Sequence, residues 1–384
     1  MAALAMGGFS IGTTEFAAMS LLPFFSDDLG IDAPTAGHAI SAYALGVVTG
    51  APIIAILGAK VSRRLLLIWL MAVFALANGL SALAPTYGWM LLFRFLSGLP
   101  HGAYFGVAAL VAAGLVPANR RAQAVSRVMA GLTIATVIGV PAANWLGQAI
   151  GWRWGFGVVA VLALTTSLMI WRFAPHDRRP EGASPLRELG ALGKRQVWLT
   201  LATGAIGFGG LFAVYTYVAS TMIEVTHVSP ALVPVVLGIF GIGMTVGNLS
   251  AAWAADRALM PTATGLLVWS AVSLAMFPFA AGSIWSLSAV IFLIGFGGGL
   301  GTVLQTRLMD VAGEAQTLAA ALHHSAFNVA NALGPWLGGL AIAAGYGWTS
   351  TGWVGSLLAI GGLLILALSV ADERRTTGRL ATSC

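Results

Sequence analysis

Residues 174–196 read APHDRRPEGASPLRELGALGKRQ, the one long polar break in a chain of 384 residues that is 58% hydrophobic and 8% charged. The stretch carries Pro and Gly, and six Asp, Glu or Arg residues fall in it before Lys194. On each side lie six apolar stretches of about 20 residues, the length that crosses a bilayer core as helix. The predicted spans are 4–25, 36–57, 65–84, 89–115, 128–149 and 153–173, then 197–220, 231–253, 263–281, 284–305, 318–344 and 350–371. The pattern predicts an all-α integral membrane protein of twelve transmembrane helices in two six-helix halves, 1–173 and 197–384. Residues 174–196 are the linker, and a short tail closes the second half.

Charge orients this array. Lys60, Arg63, Arg64, Arg120, Arg121, Arg127, Arg172, Arg178, Arg179, Arg187, Lys194, Arg195, Arg257, Arg307, Arg374, Arg375 and Arg379 fall in the terminal tails and even-numbered gaps. That is 17 of the 19 basic residues; only Arg94 and Arg153 lie elsewhere. Basic loops stay cytoplasmic, so both termini and the linker are expected in the cytoplasm. The net charge of +6 is thus a topology signal and not a nucleic-acid surface. Cys384 is the only cysteine, which excludes disulfides within the chain and Cys-based metal sites. The N-terminus lacks a basic leader region, so residues 4–25 are expected to be a retained helix.

The halves echo each other. Gly139-Val140-Pro141 and Asn144-Trp145-Leu146-Gly147 in the fifth span match Gly334-Pro335-Trp336-Leu337-Gly338-Gly339 in the eleventh. Each is followed by a Gly/Trp turn, Gly151-Trp152-Arg153-Trp154 and Gly345-Tyr346-Gly347-Trp348. Weak internal repeats typify secondary transporters, whose substrate sites lie between the repeats near the bilayer midplane. Small residues four apart, such as Gly98 with Gly102, let helices approach closely. The string Gly295–Gly301 imitates a nucleotide loop, but it lies within an apolar span.

Glu15 stands in the middle of the first span. A charge at the centre of a lipid-facing helix costs about 2.5–3.5 kcal/mol on insertion scales, so Glu15 is expected to face the bundle interior. A carboxyl group that gains and loses a proton as water access alternates is a natural coupling site; an acid held neutral by neighbours such as Thr13 and Thr14 is the structural alternative. Arg94, about five residues into the fourth span, either partners an acid or snorkels. His101 lies two turns deeper; a proton relay and a neutral cavity-lining imidazole both fit. His323 and His324, beside Asn328 and Asn331, read as packing or lining groups, and no spacing makes a metal site. Thr14, Tyr43, Tyr104, Tyr215, Phe327 and Asn328 are the candidate cavity residues, although aromatic residues also fill cores.

Together these residues resemble the major facilitator superfamily, and within it bacterial drug/proton antiporters of the arabinose-efflux-permease-like branch. The resemblance covers essentially the whole chain. It rests on Gly12-Thr13-Thr14-Glu15-Phe16 through Pro23, on Ser41-Ala42-Tyr43 to Pro52, on Arg94-x-x-x-Gly98-Leu99-Pro100-His101-Gly102, and on Gly131 through Gly139-Val140-Pro141 to Gly147. It implies coupling and gating roles for Arg94, and gating positions at Gly139, Pro141, Gly334 and Pro335. The family's basic loop after the second span is altered: Gly58-Ala59-Lys60-Val61-Ser62-Arg63-Arg64 has Ser62 at the acidic position. The resemblance therefore implies a charge latch resting on Asp256 and Arg257, with Arg63 as its first-half remnant.

The expected function is proton-coupled efflux of a small molecule, such as a drug, sugar or metabolite, by alternating access in a bacterial inner membrane. The partners are substrate, protons and lipid; the proton gradient supplies the energy with no cofactor or metal, and a monomer is the default for this architecture. An importer or facilitator on the same fold is the alternative. An embedded enzyme would need a cluster of acid, base and nucleophile; no HExxH helix is present and no nucleophile elbow is expected. The scarcity of cavity charge favours neutral or cationic, moderately apolar substrates.

Overall fold

A computed structural model describes residues 1–58, 61–117, 121–174, 190–312 and 316–382. Most of the linker, residues 175–189, lies outside the described residues. In a bilayer the backbone must satisfy its own hydrogen bonds, and the described chain is accordingly helical almost throughout. The first half contains α1 (Ala2–Ser20), α2 (Leu22–Asp28), α3 (Ala33–Gly58), α4 (Arg63–Ala82), α5 (Tyr87–Gly114), α6 (Arg121–Ile134), α7 (Val140–Ile150) and α8 (Trp152–Phe173). The second contains α9 (Arg195–Gly207), α10 (Gly209–Glu224), α11 (Val233–Ala280), α12 (Ile284–Phe296), α13 (Leu300–Ala312), α14 (Gln316–Ala341) and α15 (Ser350–Thr382).

These elements build the twelve predicted spans, with local differences. The first span breaks at Leu21, where Pro23 opens α2. A π-helical segment, Ala135–Gly139, joins α6 to α7 just before Pro141. The eighth and ninth spans are one long helix kinked at Ala258 (φ −156°, ψ 80°), where a loop was expected. The sequence there, Ala255-Asp256-Arg257-Ala258-Leu259-Met260, favours helix, and Pro261 sits in the first turn after the kink, where its missing N–H costs little. The last helix runs past the predicted span to Thr382. Large exposed apolar side chains such as Leu57, Leu83, Phe279 and Trp285 form the surface that lipid covers.

An even number of spans puts both termini on one side, here called the terminal side. The halves meet most closely on the far side and at mid-depth. Gln148 Nε2 on α7 donates to Pro230 O at 2.8 Å, Ser41 Oγ on α3 donates to Ala332 O at 3.0 Å, and Pro34 lies against Gly339. Phe16 packs on Phe212, Tyr215 and Phe240 with ring centroids 5.4–6.4 Å apart. On the terminal side α9 and α13 pack chiefly on α11, α14 and α15 of their own half. The far side is therefore the closed end.

Candidate functional site

Polar groups in the bundle interior converge where α1, α3, α4, α5 and α14 meet. Glu15 is 2% exposed and Arg94 is fully buried. Glu15 Oε1 accepts from Asn331 Nδ2 at 3.1 Å, a hydrogen bond that joins the two halves. Thr14, next to it on α1, donates to Asn78 Oδ1 on α4 at 2.7 Å and accepts from Arg94 Nη1 at 3.2 Å. Asn78 in turn donates to Phe74 O at 2.8 Å. The Arg94 guanidinium carbon sits 4.3 Å from the Tyr43 ring centroid and 5.3 Å from that of Phe156. Two aromatic faces thus share the cation.

Glu15 and Arg94 interact electrostatically, yet no ion pair joins them. Arg94 Nε and Nη2, and Asn331 Oδ1, are buried with no hydrogen-bond partner among the described residues. A buried donor or acceptor without a partner costs about 1–3 kcal/mol, so two unpaired donors on Arg94 and one unpaired acceptor on Asn331 mark a site built for more than one arrangement. Tyr43 extends the site. Its hydroxyl lies 2.9 Å from His101 Nδ1, and His101 stands 6.4 Å from the ring of His324 on α14. His324 stacks on Phe105 at 5.3 Å and 7°.

Glu15, Arg94 and His101, the three expected proton-coupling residues, thus belong to one network, which Thr14 and Tyr43 complete. The other expected cavity residues scatter. Tyr104 is buried between α5 and α1, where its hydroxyl donates to Leu4 O at 2.9 Å over the space left by Gly7. It ties helices within one half and does not line the space between halves. Tyr215 is buried against Phe16 and Phe240, its hydroxyl without a partner among the described residues. Phe327 packs on Phe208 and Phe212 at 4.8 and 5.0 Å. Asn328 donates to His324 O within its own helix, and its Oδ1 has no partner among the described residues.

The expected gating residues have ordinary local explanations. Ser62 caps α4 by accepting from Leu65 N at 3.3 Å, so the residue in the acidic position starts a helix, with Arg63 its first member. Arg257 folds over Trp253 of its own helix, 3.8 Å from the ring centroid, and donates to Trp253 O. Asp256 is exposed, and no ion pair with it is formed among the described residues. Gly139 lets Thr13 and Phe9 of α1 approach, Gly334 lets Gly209 O approach, and Pro335 O accepts from the Tyr217 hydroxyl at 2.9 Å. Pro141 lies in the first turn of α7.

Two features escaped the sequence reading. Asn78 is a direct partner of the central residues, for which a polar amide in mid-span was the available signal, whereas Asn331, already read as a polar lining group, makes the bond to Glu15. Also, Gly8-Phe9-Ser10-Ile11-Gly12 does fit the G-x-S-x-G string. It lies inside α1, with Ser10 Oγ donating to Met6 O at 2.9 Å, so the strand-to-helix elbow that exposes a nucleophile is missing. Among the described residues no group of His, Cys, Asp and Glu could hold a metal ion.

A family model described as Major Facilitator Superfamily matches residues 4–262 and 217–383. Inner membrane transport protein YdhP of Escherichia coli (strain K12) is 39% identical over 377 residues, 97% of this chain and 96% of that protein. Chloramphenicol resistance protein of Streptomyces lividans is 33% identical over 380 residues, 97% and 95% of the two chains. A bacterial homolog of the human lysosomal transporter Spinster, crystallised in an inward-facing, occupied conformation, superposes with a TM-score of 0.72 at 16% identity, covering 96% of each chain; at that identity the likeness is one of fold. The chain is a member of the Major Facilitator Superfamily, a multi-pass transporter of the bacterial inner membrane and not an enzyme.

Proposed function

We propose that this transporter is a proton-coupled antiporter that exports a small molecule, with both termini in the cytoplasm. The observation that carries the reading is the bond between Glu15 and Asn331, made across the halves beside an arginine with two unpaired nitrogens. With the basic tails and loops in the cytoplasm, the closed far side is periplasmic and this is an inward-facing arrangement. In it a neutral Glu15 accepts from Asn331. Loss of the proton to the cytoplasm makes a carboxylate, and Arg94 Nε and Nη2 are its charge-matched donors in the same half. Turning to them gives up the Asn331 bond and loosens the closed end. Reprotonation from outside restores it. A two-state element biased by one proton is what alternating access requires. The relative named for chloramphenicol resistance supports export and a role in drug resistance. The monomer suffices, since each chain holds both halves.

The test is proton flux in inside-out vesicles, wild type against Glu15→Gln, with chloramphenicol, ethidium and arabinose as trial substrates. Substrate-triggered proton release from the lumen in wild type alone is the expected result. Equal responses in both proteins would remove Glu15 from coupling. Substrate entry that follows its own gradient with no proton movement would make the protein a facilitator.

A further inference from the structure

Away from the Glu15 network, the kink of α11 at Ala258 leaves a cleft on the outside of the second half. Leu249, Trp253 and Ala254 before the kink, Thr262 and Leu266 after it, and Phe296 at the end of α12 are among its walls. Its volume is about 540 Å³, within the roughly 300–1,000 Å³ of ligand sites. Phe296 packs on Trp269 with ring centroids 5.0 Å apart, and Trp269 Nε1 donates to Leu293 O at 2.8 Å, so this wall is held in place. The cleft faces lipid. Val235, Ile242, Val246, Leu249 and Trp253 are all exposed, and their spacings of seven, four, three and four residues put them on one stripe of α11.

The cleft has a charged end. Leu249, Trp253 and Arg257 are four residues apart and share one face of the helix, so the stripe passes from apolar to cationic toward the terminal side. Arg257 is exposed. Its guanidinium carbon rests 3.8 Å from the Trp253 ring centroid, and Nη1 donates to Trp253 O at 2.7 Å. The cation is therefore fixed on a wall of the cleft. A guanidinium has five N–H donors; one is used within the helix, and no acidic side chain pairs with Arg257 among the described residues. Asp256 lies about 100° round the helix from it, off the stripe.

We infer that this cleft binds one anionic phospholipid, with an acyl chain between Leu249, Leu266 and Phe296 and the headgroup phosphate on Arg257. Apolar walls that lead up to a cation match an amphiphile aligned with the membrane. Phosphate accepts charge-assisted hydrogen bonds from guanidinium, and cations beside a membrane span attract anionic lipid. A tryptophan next to that cation belongs at headgroup level. A soluble anion would leave the apolar walls unmatched, and a chain without a headgroup would leave the cation unused. The bound chain fills the angle of the kink and braces the eighth and ninth spans. The site depends neither on proton coupling nor on the direction of transport.

The test is photo-crosslinking of the full-length protein in phosphatidylcholine nanodiscs. The probes are phosphatidylglycerol and phosphatidylcholine, each with a diazirine in its acyl chain. Phosphatidylglycerol is expected to label residues 249–254 and 262–266 about fivefold more than phosphatidylcholine, the effect of one arginine near the surface. Arg257→Gln changes an exposed side chain, so the protein should fold, and it should bring the two probes level. Ala254→Phe fills the cleft and should reduce labelling by both. Excess inorganic phosphate should leave the labelling unchanged; displacement of the probe would make this a site for a soluble anion. Equal labelling by the two probes in wild type, label spread evenly along the stripe from Val235 to Trp253, or a phosphatidylglycerol preference that survives in Arg257→Gln would each overturn the assignment.

Discussion

The two halves share a packing device and differ in their chemistry. In the first half α3 and α5 touch through bare backbone. Gly46 faces Phe95 O, Gly50 faces Leu99 O and Gly98 faces Tyr43 O, each so close that a Cβ would collide. In the second half Gly243 faces Phe292 O, Gly247 faces Phe296 O and Gly295 faces Phe240 O in the same way between α11 and α12. Every position in the second set lies 197 residues beyond its counterpart in the first, from 43 and 240 to 99 and 296. The same shift takes Glu15 to Phe212, Tyr43 to Phe240, Asn78 to Ala275, Arg94 to Ile291 and His101 to Gly298. Each polar member of the first-half network thus meets an apolar residue or glycine in the repeat. The frame is duplicated, while the Glu15–Arg94–His101 network has no counterpart at the matched positions, and the second half meets it through Asn331 and His324.

The sharpest way to break this contrast is to give the first half the second half's residue. Arg94→Ile removes the cation nearest Glu15 and its hydrogen bond to Thr14. No ion pair joins the two here, so the cost stays below the roughly 3–5 kcal/mol of breaking a buried charge pair. Export should vanish and Tm in detergent should drop; a stable, active variant would show that the asymmetry is incidental. Next in size is the matched pair Gly46→Ala and Gly243→Ala. Both methyl groups press on a carbonyl oxygen of the facing helix, and overpacking of this kind costs about 1–3 kcal/mol. The two Tm losses should agree; a large loss in one half only would dissolve the structural repeat.

Asn331→Leu should have a smaller effect. It removes the donor that links the halves and leaves protein fold intact, at about 1 kcal/mol, or roughly a fivefold rise in far-side opening. The distance between spin labels at the far-side ends of α7 and α11 would report it, and an unchanged distribution would deny the link any role. The smallest effect is at Asp28, which pairs with Arg153 at the far end of the first half at 2.5 Å. The Arg153 hydrogen bond, helped by Trp152, holds the Asp28 carboxyl below its ordinary range. A depressed carboxyl contributes stability that is present above the unfolded value and lost as pH falls through the folded one. Both side chains are more than 40% exposed, so the contribution is under about 1 kcal/mol. Unfolding of wild type and Asp28→Asn should converge as pH drops below the ordinary aspartate range and differ slightly above it.

Much of this was legible before any coordinates. Span length and the position of arginines decide the array, because bilayer thickness and loop charge act on the sequence directly. Glu15 and Arg94 stood out because a charge among some twenty apolar residues is costly wherever it points. Asn331 was visible as a polar residue but not as the partner of Glu15, 316 positions away, since that pairing depends on how the halves dock. Tyr43 and Tyr104 look alike in sequence. One carries the Arg94 cation and the other covers Gly7, a distinction set by helix rotation. The kink at Ala258 was hidden because Arg257 at an expected loop is equally at home on a helix whose end meets water.

The carbonyl-to-glycine contacts also bear on how such a protein can diversify. A backbone oxygen pressed on a glycine fixes where two helices cross, and it asks nothing of the side chains on their other faces. The frame therefore survives exchange of the interior residues that face away from these crossings. Side chains in the interior can therefore change by point substitution while the crossing geometry of both halves is kept.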